Sequence, residues 1–160
     1  MSTATSTPPP PFEPEFVAAL TRLFEETIAF NRVLGLRISE VTATRVAGHI
    51  DMRPELVGHQ LHQRLHGGVI SATLDAMAGL AIMAAIGARH MDEPPAKRMQ
   101  RFSRLGTVDM RCDYLRQAIG ERFTLSAEVV RLGTRIASTQ MRFMGASGTL
   151  LATGAATYVL

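Results

Sequence analysis

The stretch HGGVISATLDAMAGLAIMAAI, residues 66–86, opens on a double glycine and carries a single carboxylate, Asp75, in an otherwise apolar or small-residue run. Residues 67–86 are about as long as a bilayer core is thick. A carboxylate near the middle would cost roughly 2.5–3.5 kcal/mol to insert, and nine of the other nineteen residues are Ala or Gly rather than large apolar groups. The expected element is therefore a helix enclosed by protein and not a membrane span. A helix apolar on all its faces needs a sheet or other helices around it.

The flanking sequence supplies that sheet. From Pro14, the positions Phe16, Val17, Leu20, Leu23, Phe24, Thr27 and Ile28 recur at threes and fours and predict an amphipathic helix that ends before Asn31. Two runs rich in branched side chains, residues 36–44 and 45–53, read as strands, the second closed by Pro54. The histidine-rich segment 55–65 and the basic segment 89–104, with Pro94, Pro95, Lys97, Arg98, Arg101 and Arg104, read as loops. Val108, Met110, Cys112 and Tyr114 then alternate with Thr107, Asp109, Arg111 and Asp113, the pattern of a sheet with one buried and one wetter face. Runs 121–132, 134–144 and 149–159 follow, punctuated by glycines. Because no helix separates the last four strands, a parallel sheet is disfavoured. An antiparallel sheet wrapped around the central helix, the α+β hotdog fold, accommodates every element.

At 160 residues the chain is expected to form one domain over 12–160, after a Ser-, Thr- and Pro-rich tail at 1–11 that adds no core. The net charge of +3 comes almost wholly from arginine, Lys97 being the only lysine, and is too small to predict nucleic-acid binding. One cysteine, Cys112, forms no internal disulfide, and the N-terminal residues lack the basic and apolar regions of a secretion leader, so a cytoplasmic location is expected.

The chemistry centres on His66-Gly67-Gly68 and Asp75. Backbone N–H groups at a helix start carry the positive end of the dipole and can bind an oxygen that is gaining charge, and glycines let a carbonyl approach closely. Nine residues separate His66 from Asp75, which places them about half a turn apart and roughly 13 Å along the axis. One helix does not bring both to one carbonyl, whereas two antiparallel copies in a dimer do. The plainer readings are a tight turn at Gly67-Gly68, a capping His66 and an Asp75 paired to a neighbouring strand. His59, His62 and His66 raise zinc as an alternative, but without a second ligand cluster no metal is expected.

LHGGVISATLDAMAGLA resembles the signature of the PaaI-like hotdog thioesterases, and AFNRVLGL, SRLGTVDMRCDYLR, GERFTLSAEVVRLGTRIA and ATGAATYVL extend the resemblance to YigI-type medium- and long-chain acyl-CoA thioesterases over nearly all of residues 30–159. It implies hydrolysis of an acyl-CoA thioester by a homodimer or a dimer of dimers. The family's acidic catalyst then falls on Asp75, its oxyanion-binding amide on Gly67 after His66, and its water-placing hydroxyl on Thr107. Where the family commonly has Asn before the HGG, this chain has His59 or Gln60. The turn Arg131-Leu132-Gly133-Thr134-Arg135 resembles one that touches CoA, and the cluster Arg98, Arg101 and Arg104 is a second candidate for the phosphates. No cofactor is implied, since CoA is part of the substrate. Asp75 acts on this reading as general base on a water or as a direct nucleophile, with both routes open. Met77, Met83, Met110 and Met141 are candidate tunnel-lining residues. The alternatives are a non-catalytic acyl-CoA-binding module, in which Asp75 is tied up in structural hydrogen bonds, and a hotdog dehydratase or hydratase, in which His59 or His66 approaches Asp75.

Overall fold

A computed structural model describes residues 11–160, and residues 1–10 of the expected tail lie outside the described residues. Helix α1, Pro14–Arg22, has proline at its start and Glu15 in its first turn, where a missing N–H costs nothing and negative charge meets the helix dipole. It runs into a π-turn, Leu23–Thr27, and breaks at Ile28 (φ −73°, ψ 106°), after which α2 spans Ala29–Leu34. The helical segment thus continues past Asn31 instead of ending before it. Its stop is Gly35 in the left-handed region at φ 72°, a conformation glycine adopts without steric cost.

Strands β1, Arg37–Val41, and β2, Arg45–Asp51, form a hairpin. The expected loop at 55–65 contains a small ribbon of β3, Val57–His59, and β4, Arg64–Leu65. Helix α3, Gly67–Arg89, comes next, followed by α4, Pro95–Gln100, and strands β5, Gly106–Tyr114, β6, Arg122–Leu132, β7, Ile136–Gly145, and β8, Leu150–Val159. The main sheet is six-stranded in the order β1-β2-β6-β7-β8-β5, with every neighbouring pair antiparallel. It wraps α3, which buries Leu74, Met77, Leu80 and Ile82 against Ile50, Phe123, Leu125 and Phe143 in one core. By length and composition α3 could cross a membrane, yet 61 % of its most apolar stretch is buried within the protein.

The reading of 89–104 as a basic loop is corrected by α4. Pro94-Pro95 opens a helix here, Pro95 standing at a first-turn position where its fixed φ suits the helix. Arg98 is fully buried, with its guanidinium 4.2 Å from the Phe16 ring centre and paired with the Glu13 carboxylate, and it reaches Gly87 O at 3.5 Å near the end of α3. Lys97 and Arg101 pair with Glu93 at 2.9 and 2.6 Å. Arg98 and Arg101 are therefore committed within the fold, which leaves Arg104 as the member of the candidate cluster with no ion pair among the described residues.

The two cations hold the Glu93 carboxyl down to about 2, Arg101 contributing more than Lys97. Its folded pKa lies below its unfolded value, so the stabilisation is complete above the unfolded pKa of ~4.3 and is lost as pH falls through the folded value. Acid titration of unfolding should accordingly show an excess pH dependence between about 4.5 and 2 that disappears in Glu93→Gln. An unchanged acid limb in that variant would mean that the pairs contribute nothing to stability.

A bulge decides how β5 meets α3. Thr107 opposes Tyr158 and Asp109 opposes Thr157, so Val108 is the extra residue and is 61 % exposed. The inserted residue shifts the parity of the strand. Thr107 joins Met110, Cys112 and Tyr114 on the face toward α3, contrary to the simple alternation that sets Thr107 opposite them.

Candidate active site

The N-terminus of α3 is built by His66, whose Nδ1 accepts the Gly68 N–H at 2.8 Å while its backbone oxygen accepts from Val69 at 3.0 Å. The Gly67 N–H has no acceptor among the described residues, so the first-turn donor left at the positive end of the helix belongs to Gly67. Tyr114 donates to Gly67 O at 3.0 Å, and a Cβ on residue 67 would lie 3.3 Å from its ring. Gly67 and Tyr114 share the wall of a cavity of about 390 Å³ with Arg64, Ile70 and Arg116.

Two turns along α3, Asp75 enters a second cavity of about 290 Å³. Its Oδ1 accepts from Thr107 Oγ1 at 2.9 Å and from Tyr158 Oη at 2.5 Å, and the phenol also lies 2.8 Å from the Asp75 backbone oxygen. Burial, and then the adjoining carboxylate, push the Tyr158 hydroxyl far above its ordinary value, so it remains a donor. Oδ2 takes no hydrogen bond among the described residues. The carboxylate is thus fixed by one oxygen, and Asp75 lines a cavity walled also by Phe24, Ile28, Ala76 and Leu105.

The structure brings Asp75 and Thr107 together and holds the other candidates elsewhere. Gly67 lies eight residues before Asp75, about 12 Å along the helix, and lines a different cavity. His59, at the end of β3, stacks on His62 with 4.9 Å between ring centres, and Gln60 is exposed with its backbone oxygen bonded to Gln63 Nε2 at 2.8 Å. Neither lines the Asp75 cavity, nor does His66 or any of the four methionines. Met77 and Met141 are instead closed into the core.

The Arg131–Arg135 turn joins β6 to β7. Gly133 is needed there by close approach, since a Cβ would stand 2.8 Å from Ile136 O. Arg89, at the end of α3, donates to Gly133 O at 3.2 Å and to Leu132 O, which ties the turn to the helix. Arg131, Thr134 and Arg135 are exposed, and neither arginine forms an ion pair among the described residues. Arg104 is also exposed and precedes Leu105, Gly106 and Thr107 at the Asp75 cavity.

Sequence reasoning missed Tyr158 and Asn31, both in the wall of the Asp75 cavity. A signal existed for Tyr158. It shares an inward face of β8 with Ala152, Gly154 and Ala156, and a buried phenol among such small residues needs a partner for its hydroxyl.

A hotdog sheet around a helix that presents an anchored carboxylate defines the class, and the Thioesterase superfamily model matches residues 62–152. The chain belongs to the Thioesterase superfamily, and it is a thioester hydrolase. Medium/long-chain acyl-CoA thioesterase YigI of Escherichia coli K12 is 33 % identical over 138 residues, 86 % of this chain and 89 % of that one. A crystal structure of a Shewanella oneidensis protein related to the thioesterase superfamily is 36 % identical, with a TM-score of 0.84 over 92 % of this chain and 99 % of the other. A thioesterase family protein from Silicibacter pomeroyi is 25 % identical, with a TM-score of 0.70 over 89 % and 96 %. The family resemblance and the hotdog fold read from the sequence are both borne out.

Proposed function

We propose that the protein hydrolyses medium- to long-chain acyl-CoA to free fatty acid and CoA, as a homodimer whose sites lie between protomers. The observation that carries this reading is the Asp75 carboxylate, anchored at Oδ1 by Thr107 and Tyr158, with Oδ2 unbonded among the described residues, in the wall of a largely apolar cavity. The relative YigI supplies the substrate class by its name.

In the proposed step a water attacks the thioester carbon and gives its proton to Asp75 Oδ2. The carbonyl electrons move onto oxygen, which is held by the Gly67 N–H of the second protomer and the positive end of its α3. Collapse expels the CoA thiolate, a better leaving group than an amine because a thiol is far more acidic. Direct attack by Oδ2 to form an anhydride yields the same products, and a single turnover in ¹⁸O-water separates the routes, because only the anhydride route can leave label on Asp75. The 12 Å between Gly67 and Asp75 along one helix supports an intersubunit site. So does β5 at the open edge of the sheet, where a second copy could pair. Pairing of dimers into a tetramer is an extension of the same reading.

Arg131, Thr134 and Arg135 would grip the CoA phosphates on the Gly133 turn, with Arg104 near the cavity mouth. CoA being part of the substrate, no resident cofactor is invoked. A cytoplasmic setting fits the single free Cys112. The binding-module alternative is disfavoured because only Oδ1 is tied up. No histidine of the same protomer lines the Asp75 cavity, so the dehydratase alternative would need one from the second protomer, and water addition to an enoyl-CoA tests it.

Thiol release across saturated acyl-CoAs of increasing length tests the activity and its length preference. In the same assay the double change Arg131→Ala, Arg135→Ala should raise KM about tenfold with kcat kept, the loss of roughly one charge-assisted bond. It should leave hydrolysis of acyl-N-acetylcysteamine, which has no phosphates, unaltered. Equal effects on both substrates would move the phosphate site elsewhere.

A further inference from the structure

Gly79 stands inside α3, a helix of 23 residues, where glycine is less favourable than alanine because it orders more backbone freedom on folding. The fold gives it no compensating reason. Its backbone is helical, and among the described residues a Cβ built on it would meet only Phe24 Cζ, at 4.0 Å, an ordinary van der Waals contact. Gly87, about two turns further along, differs, since a Cβ there would run into the Phe16 ring. Packing therefore requires glycine at 87 and not at 79.

Gly79 lines the Asp75 cavity, about one turn of α3 beyond the carboxylate. Exposure falls along that cavity in one direction. Phe30 is 59 % exposed and Ile28, Ala72 and Ala76 are half-buried, whereas Phe24 is 3 % exposed and Gly79 is buried against it. The open end thus lies toward Phe30 and Ala72, and the closed end at Gly79. A CoA thioester keeps its nucleotide and phosphates in water, so the part that enters a closed apolar end is the acyl chain, whose burial removes apolar surface from water. The Gly67 cavity carries Arg64 and Arg116 in its wall, a poorer match for a hydrocarbon chain.

We propose that the acyl chain runs along α3 past Asp75 and ends between Gly79 and Phe24, so that the missing side chain at 79 sets the longest chain accepted. The inference rests on the acyl-CoA thioesterase reading. A side chain at 79 would take the place of the last carbons of the acyl group. Glycine instead lets those carbons lie against the backbone of the helix, at the cost of some helix stability.

The test measures kcat/KM of wild type, Gly79→Ala and Gly79→Val on dodecanoyl-CoA and butanoyl-CoA, beside the thermal midpoint of each protein. The expected result is a dodecanoyl-to-butanoyl ratio about fourfold lower in Gly79→Ala, the burial of roughly one methylene, and about tenfold or more lower in Gly79→Val. The midpoint of Gly79→Ala should equal or exceed that of the wild type, because alanine suits a helix better. Should the valine variant fail to fold, Gly79→Ala carries the comparison by itself. An unchanged or raised ratio in an active enzyme overturns the length role and leaves the thioesterase reading intact. A fall by one factor at both lengths makes Gly79 structural and overturns the role, as does a lowered midpoint in Gly79→Ala, which would mean that the fold itself requires the glycine. No thiol release by wild type, with acyl-CoA still bound, overturns the underlying reading and this inference together.

Discussion

Asp75→Asn is expected to bind acyl-CoA as the wild type does and to release thiol about 10²- to 10⁴-fold more slowly. The carboxamide keeps the size of the carboxylate, and with its oxygen at the Oδ1 position it still accepts from Thr107 and Tyr158. What changes is the group at Oδ2, which becomes an amide that neither accepts a proton from water nor attacks a carbonyl. Steady-state thiol release and equilibrium titration with acyl-CoA, run side by side, separate the two consequences. A rate near wild type would remove Asp75 from the chemistry, and lost binding with a normal fold would make it a ligand clamp.

Phe16→Ala is the largest stability effect expected, roughly 3–5 kcal/mol by analogy with other buried Phe truncations. The ring is fully buried, edge-on to Phe12 at 5.1 Å and tilted against Phe102 at 6.5 Å. It fits against Gly87 so closely that a Cβ there would lie 2.4 Å from its Cζ. It also covers the buried Arg98 guanidinium, so truncation leaves a void beside a charge. Set against a typical total of about 5–15 kcal/mol, the loss is large enough to show in a urea titration. Gly87 is twelve residues from Asp75, about 18 Å along α3, so activity per folded molecule should persist at low denaturant. A loss below about 1 kcal/mol would show that α1 collapses into the space.

How far each element was legible follows from the range of the interaction that makes it. The central helix was readable because its apolar side chains run around every face, and the late strands because glycines mark their ends. The separation of Gly67 from Asp75 also followed, being simple helix arithmetic. Helix α4 was missed because two consecutive prolines look like a break, although one of them stands at a helix start. Arg98 was misjudged with it, because a lone arginine shows no sign of the Glu13 and Phe16 that bury it from eighty residues away.

The site was half legible for the same reason. Thr107 entered by resemblance, while period-two reading set it opposite the inward residues of its strand. Its link to Asp75 depends on one bulged residue, and that of Tyr158 depends on β8 lying beside β5, a pairing across just over fifty residues of chain. Asn31 became visible only when the helix was seen to continue beyond it and to close the Asp75 cavity.

The bulge at Val108 has a consequence for how this chain can vary. Within one protomer the Val108 side chain is exposed and lies outside the lining of the Asp75 cavity, so the cavity itself leaves its identity free to drift among many residue types. Deleting it would restore regular pairing and leave Thr107 opposite Tyr158, still facing Asp75. What would turn Thr107 outward is a strand that keeps the residue and pairs it regularly, because Val108 would then stand opposite Tyr158. Position 108 is therefore open to loss as well as to substitution, and what the site holds fixed is the register of β5 on β8.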